Sequence, residues 1–261
     1  MEIGVRKKPW KILYGMPRKI DMICVEPDES ERSILTVQLN RTPWHSWKII
    51  PKALGQKEDI RTLYITQQPG LSSLYRPNTS LIKQYQDIRP YTILHEAKVP
   101  VVTLDSLAQS YGFRDGIDLL KVDTQGSEYD ILRGANSTLQ RTQVIYVEME
   151  FVELYEGQPL FGDIHAYLSE QGFYLHDLLR VRYRHQNDIV ASKPQLFFGY
   201  GIYVKRQPRD AAKCAAALAL MGYIDAAEAL FPAAHEEFAQ IAKQLPNMLK
   251  RVVHHDRKDG D

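Results

Sequence analysis

The sequence predicts an α/β fold built on a mostly parallel central sheet, with a helical hairpin at the C-terminal end. Three observations carry this. Strand-like apolar runs alternate with helical patterns from residue 2 to about 180, as strand–crossover–strand units do. Two of those runs end on an acid: Met22-Ile23-Cys24-Val25-Glu26-Pro27-Asp28, and Leu119-Leu120-Lys121-Val122-Asp123, which continues as Thr124-Gln125-Gly126-Ser127-Glu128. From Pro208 onward the composition turns Ala-rich. A buried parallel strand that ends on an acid delivers one carboxylate to the mouth of a cleft. Two such deliveries are the layout with which α/β domains hold a nucleoside.

In chain order, Glu2-Ile3-Gly4-Val5 opens almost inside a first strand, and residues 20–26 form a second. Residues 29–40 read as a helix with an inner stripe of Ile34, Leu35, Gln38 and Leu39. Residues 49–54 form a short third strand, and residues 61–66 alternate as a paired strand. Residues 67–90, rich in Pro, Ser, Asn and Gln, read as an excursion over the surface. Residues 101–103 are a β run entered through Pro100, at the first position, where a strand tolerates proline. Leu104-Asp105-Ser106-Leu107 opens a short helix.

Residues 119–123 are the fourth core strand and residues 127–139 a helix. Residues 144–148 are a strand ending on a third acid, and residues 164–171 a helix stopped by Gly172. Residues 173–178 and 196–204 are strands joined by the basic stretch 180–193. The Ala-rich part faintly resembles one tetratricopeptide unit, which cannot bury its own apolar face and should dock on the main domain or on a protein partner. The expected division is a main domain over residues 1–206, a helical hairpin over 207–253 and a disordered tail over 254–261.

The net charge of +1 and the lack of a long basic block give no electrostatic reason to expect nucleic acid. No apolar segment approaches the length of a membrane span, and no charged-then-apolar leader opens the chain. The two cysteines, Cys24 and Cys214, lie far apart, which fits a reducing, cytoplasmic setting better than a disulfide framework. The eight histidines do not cluster with ligand spacing, so no metal is expected. Neither a Gly-x-Gly-x-x-Gly nor a P-loop spacing is present, which disfavours a nicotinamide oxidoreductase using Glu26 on the ribose.

Three blocks resemble the FkbM family of S-adenosylmethionine-dependent methyltransferases over about residues 2–205. The strongest combines Leu104-Asp105-Ser106-Leu107, the run from Ile117 to Glu128, and Ile131-Leu132-Arg133-Gly134-Ala135. The second is Val147-Glu148-Met149-Glu150-Phe151 with Leu154-Tyr155 and Gln158-Pro159-Leu160-Phe161. The third is Leu63-Tyr64-Ile65-Thr66 with Gly70-Leu71-Ser72-Ser73-Leu74-Tyr75 and Pro77-Asn78. The resemblance implies a class I methyltransferase (Rossmann-like) sheet whose last strand runs antiparallel. It also implies S-adenosylmethionine as cofactor and transfer to an oxygen of a glycan or natural product. The departure is at the front: where the family has a glycine-rich turn, this chain has Gly4 followed by Arg6, Lys7 and Lys8. Glycine there lets backbone approach a ligand. The substitution and the hairpin together motivate an alternative, a non-catalytic binding or scaffold protein that keeps the fold.

The expected cofactor residues are Glu2, Gly4, Glu26, Pro27, Ala53, Leu54 and Asp123. Glu26, after the second strand, would take two ribose hydroxyls; otherwise it caps the next helix together with Asp28. Glu2 and Gly4 would meet the amino-acid end, and Ala53 and Leu54 would flank the adenine. The expected catalytic residues are Asp123 and Glu148. Asp123 would orient the cofactor or hold or deprotonate the acceptor, and Glu148 shares a strand face with Glu150. Two like charges that close raise one pKa. Glu128 reads as structural, a negative charge in the first helical turn. Ser72, Ser73, Tyr75 and Asn78 resemble a lid, Tyr155 and the Gln158–Phe161 run line the acceptor side or pack as a helix staple, and Arg180, Arg182, Tyr183, Arg184 and His185 face an anionic or glycosidic acceptor or simply water.

Overall fold

The computed structural model describes residues 1–5, 8–10, 12–13, 17–86, 91–113, 116–186 and 193–243. Arg6, Lys7 and the tail 254–261 lie outside the described residues, as does part of the basic connection. The main sheet has seven strands: β1 (Glu2–Ile3), β2 (Asp21–Val25), β3 (Ser46–Ile50), β7 (Leu119–Val122), β8 (Val144–Glu150), β9 (Phe173–Tyr183) and β10 (Gln195–Lys205). Their order is β3-β2-β1-β7-β8-β10-β9. The first five are mutually parallel, while β10 runs antiparallel to both β8 and β9. This is the class I methyltransferase sheet with its reversed last strand. The order turns around beside β1, and α/β folds place ligands at the carboxyl edge of such a switch point.

One sheet face packs on α3 (Leu104–Tyr111), α4 (Glu128–Arg133), α5 (Asn136–Leu139) and α6 (Phe161–Glu170). Leu120, Val122, Ile145, Val147 and Met149 are among the sheet residues of that core, which Leu104, Leu132 and Leu168 join from the helices. The opposite face packs on α1 (Glu29–Arg41) through Leu35 and Leu39. The Ala-rich hairpin, α7 (Ala211–Leu220) and α8 (Ile224–Leu230), also sits on this face. Cys214, Ala215 and Leu218 bury against Val144, Tyr146, Ile202 and Val204. Both cysteines are free and buried. The hairpin's apolar face is therefore covered by its own chain. Among the described residues, no helix is long and apolar enough to cross a membrane.

Several sequence expectations need correction. Residues 49–54 are not one strand. Lys52 N–H turns back onto Ile50 O (3.0 Å), and β4 (Ala53–Leu54) leaves the main sheet for a second one of order β4-β6-β5. β6 (Ile93–Val102) pairs antiparallel with β5 (Asp59–Thr66) and starts well before Pro100. Pro100 is tolerated inside because β4 pairs only with Val101 and Val102. The helix expected over 127–139 breaks into α4 and α5 at Gly134, where a Cβ would lie 2.2 Å from Gly55 O. Ile34, placed in the inner stripe, is 42% exposed, so α1 buries a narrower stripe. The excursion after β5 is no plain surface loop: Ser72, Ser73 and Leu74 are buried, and a short helix α2 (Thr79–Ile82) follows. β9 absorbs Arg180, Arg182 and Tyr183.

Candidate functional site

A cleft enclosing about 380 Å³ of space, partly open to solvent, lies at the carboxyl edge beside β1. Its apolar walls are Val25, Ala53, Leu54, Leu63, Leu74 and Ile131, and its polar groups include Glu26, Lys52, Ser73, Thr124 and Ser127.

Glu26 is fully buried and lines this cleft. Its Oε1 accepts the Asp28 N–H (2.8 Å), which fixes the carboxylate. Capping of α1 falls to Asp28 instead, whose side chain accepts the Ser30 N–H. Pro27, Ala53 and Leu54 line the same cleft. So does Gly4, which has φ 79; a Cβ there would lie 1.9 Å from Asp123 O, so only glycine lets the end of β1 touch the end of β7. Lys52 is a cleft residue that strand-exit reasoning missed, because it occupies the turn between two sheets.

Glu2 is placed elsewhere. Its carboxylate is buried under the sheet face and accepts the Trp10 N–H at 3.0 and 3.1 Å. Burial raises its pKa, partly offset by Lys121. Lys121, directly beside it across the β1–β7 pair, donates to Asp123 Oδ2 at 2.8 Å. Burial alone would lower Lys121, but Asp123 and Glu2 carry it above its ordinary value.

Asp123 does not line the cleft residue set but adjoins it through Gly4 and Thr124. Burial pushes its pKa up, yet the Lys121 ammonium and hydrogen bonds from Lys121, Glu148 and Gln125 leave it below the usual Asp value. Glu148 is held well above its usual value, first by burial and then by the charges of Asp123 and Glu150. Of the pair, Glu148 is therefore the carboxyl that keeps a proton more readily and Asp123 the one that ionises more readily. Tyr200, opposite Glu148 on β10, also donates to it. Glu150 ends β8 as a buried residue rather than facing solvent, and accepts Gln158 Nε2 at 2.9 Å.

The turn after Asp123 is gripped by Glu128, whose carboxylate accepts the Thr124 N–H (2.6 Å), Thr124 Oγ1 (3.0 Å) and the Gly126 N–H (2.8 Å). Its structural role is therefore backbone capture inside the turn. Over the turn lies the covering segment: Ser73 Oγ donates to Gln125 O (2.5 Å). Tyr75 OH and Arg61 Nη1 both donate to Asp130 Oδ2, at 2.9 and 2.7 Å. Asn78 caps α2 and donates its N–H to Leu154 O. Tyr155 is fully buried and donates toward Gln125 Oε1 (3.0 Å) and Leu71 O (3.1 Å). Phe161 opens α6, stacked on Phe151 and His165 as a packing residue. Arg180, Arg182, Arg184 and His185 are exposed, and His185 stacks on Tyr85. Among the described residues, no three His, Cys, Asp or Glu side chains group to hold a metal ion.

The partners that sequence reading missed, Lys121, Gln125 and Tyr200, are ordinary strand and turn residues by type. Cross-strand register brings Lys121 and Tyr200 to the acids, and the turn after β7 brings Gln125.

The model of the methyltransferase FkbM domain matches residues 16–175, which include Glu26, Asp123 and Glu148 and leave out Glu2 and Gly4. The 2-O-methyltransferase NoeI of Sinorhizobium fredii (strain NBRC 101917 / NGR234) is 28% identical over 148 residues, 54% of this chain and 58% of that protein. Methyltransferase 1 of Beauveria bassiana (strain ARSEF 2860) is 29% identical over 126 residues, 46% of this chain and 49% of that protein. The chain spans about half the length of these curated relatives.

Proposed function

The chain belongs to the FkbM methyltransferase domain family, and on that premise we propose that it is an S-adenosylmethionine-dependent O-methyltransferase acting on a hydroxyl of a glycan or natural product. The observation that carries the reading is Glu26, a buried carboxylate anchored at the lip of an apolar cleft. That donor set fits a nucleoside: a carboxylate accepts two ribose hydroxyls, and walls such as Val25, Ala53, Leu54 and Leu63 take an adenine. Gly4, Thr124 and Ser127 line the same cleft, and the amino-acid portion would rest against them.

S-adenosylmethionine supplies an already activated methyl group. The protein's work is alignment, exclusion of water and removal of one proton. Asp123, at the exit of β7, would accept the proton of the acceptor hydroxyl or orient that hydroxyl. Glu148, held above its usual value beside Asp123, would set the charge of the pair. The covering segment, seated on the turn by Ser73 and on α4 by Tyr75, would keep water out. The likeness to a 2-O-methyltransferase supports an oxygen acceptor.

Isothermal titration tests the cofactor half. We expect heat with both S-adenosylmethionine and S-adenosylhomocysteine; none with either would favour a scaffold. Transfer of labelled methyl to a panel of polyhydroxylated acceptors tests the chemistry. Asp123→Asn should cut turnover more than it weakens cofactor binding, whereas equal losses would make Asp123 a cofactor ligand only.

A further inference from the structure

Gln125 is the one non-glycine residue with a positive φ (62°) among the described residues. A long side chain is an uncommon occupant of the left-handed region, and such strain gathers at functional sites. Each polar group of Gln125 named here has a partner. Its backbone carbonyl accepts Ser73 Oγ from the covering segment. Its Nε2 donates to Asp123 Oδ1 (3.1 Å) and to Glu148 Oε2. Its Oε1 accepts the Tyr155 hydroxyl. Carboxyl oxygens on one side and a hydroxyl on the other fix which end of the amide faces the acids. Gly126 follows at φ 104°, where a Cβ would lie 3.1 Å from the Tyr155 ring, so the turn is shaped to admit that ring.

We propose that Gln125 is a positioning residue that ties the covering segment to the Asp123–Glu148 pair, so that the pair is set to take a proton when the cover is seated. The clause about proton acceptance rests on the methyltransferase reading above; the tie itself does not. A donor to the charged form of a carboxyl favours that form. The Gln125 amide donates to both carboxyls and therefore favours the charged form of the pair. Other groups face the pair from every side. Lys121 comes from β7, Glu2 from β1, Glu128 from α4 and Glu150 along β8. Tyr200 approaches from β10, and Tyr91 and Tyr155 from the covering side. Among those named here, Gln125 alone also holds the cover by its backbone.

The test uses Gln125→Gly, which adopts the same φ without strain and removes the amide. Carboxyl ¹³C NMR titration of the ligand-free protein should show the Asp123 midpoint rising by roughly half to one pH unit. In turnover, kcat should fall about tenfold or more while the Kd for S-adenosylhomocysteine stays within about twofold. Ser73→Ala should lower kcat in the same direction by less. Gln125→Asn, also tolerated at this φ but one methylene short, should behave like Gly and serves if the Gly variant does not fold. An unchanged Asp123 midpoint in a folded variant would overturn the proposal and reduce Gln125 to a turn residue. Because the titration needs no ligand, it is separate from failure of the methyltransferase reading, which would show as no cofactor heat in the wild type.

Discussion

On the β1–β2 side of the sheet's carboxyl edge, where β4 of the second sheet adjoins it, the cleft walls are mainly apolar and the acid among the cleft residues is Glu26. On the β7–β8–β10 side, Asp123, Glu128, Glu148 and Glu150 crowd together with Lys121, Gln125, Gln158 and Tyr200. The two sides meet at Gly4 and Thr124. A carboxylate in an apolar wall is placed to receive the donors of a ligand. Crowded carboxyls cannot all ionise, so their neighbours decide which one carries the charge. The first arrangement suits binding, the second proton handling.

Breaking the joint between the sides should have the largest effect. Gly4→Ala puts a Cβ into Asp123 O at an unfavourable φ, and urea denaturation should show a loss of about 3–5 kcal/mol. Glu128→Ala comes next. It strands the Thr124 and Gly126 N–H groups, for a loss of about 2–4 kcal/mol by the same measurement.

The acid side should also show in the pH dependence of stability. Glu148 has a folded-state pKa raised above the unfolded one. Its contribution is therefore full below the unfolded value and lost as pH rises toward the folded value. Glu148→Gln cannot lose a proton. Above about pH 4.5 its stability should fall less with rising pH than that of the wild type, by up to about 1.4 kcal/mol per pH unit. Parallel slopes between pH 5 and 8 would mean that Glu148 is ionised in the fold. Tyr75→Phe is the smallest change. Arg61 still holds Asp130, so chemical denaturation should register a loss of about 1 kcal/mol or less.

The two sides were unequally readable in the sequence. Strand-exit acids announce themselves: an apolar run ending on Glu26 or Asp123 needs no partner to be noticed. The mostly parallel sheet follows from the alternating runs, and the reversed last strand from the family resemblance. Lys52 was hidden because residues 49–54 read as one short strand, and only the turn at Pro51 and Lys52 sends β4 into another sheet. Lys121 and Tyr200 alternate with core residues, and their chemistry appears only when register sets Lys121 beside Glu2 and Tyr200 beside Glu148. The strand read as ending at Glu148 runs on to Glu150, and the bond that Glu150 accepts from Gln158 carried no sequence signal. Gln125 carried no signal by type, since a positive φ at a glutamine is imposed by the turn that Glu128 grips.

The division of labour between the sides can be measured by one pair of titrations, the binding of S-adenosylhomocysteine to Glu26→Ala and to Glu148→Gln. The account predicts that the first weakens binding by about 1–3 kcal/mol, the cost of losing charged hydrogen bonds, while the second leaves it unchanged. Unchanged binding in Glu26→Ala, or an equal loss in both, would contradict it.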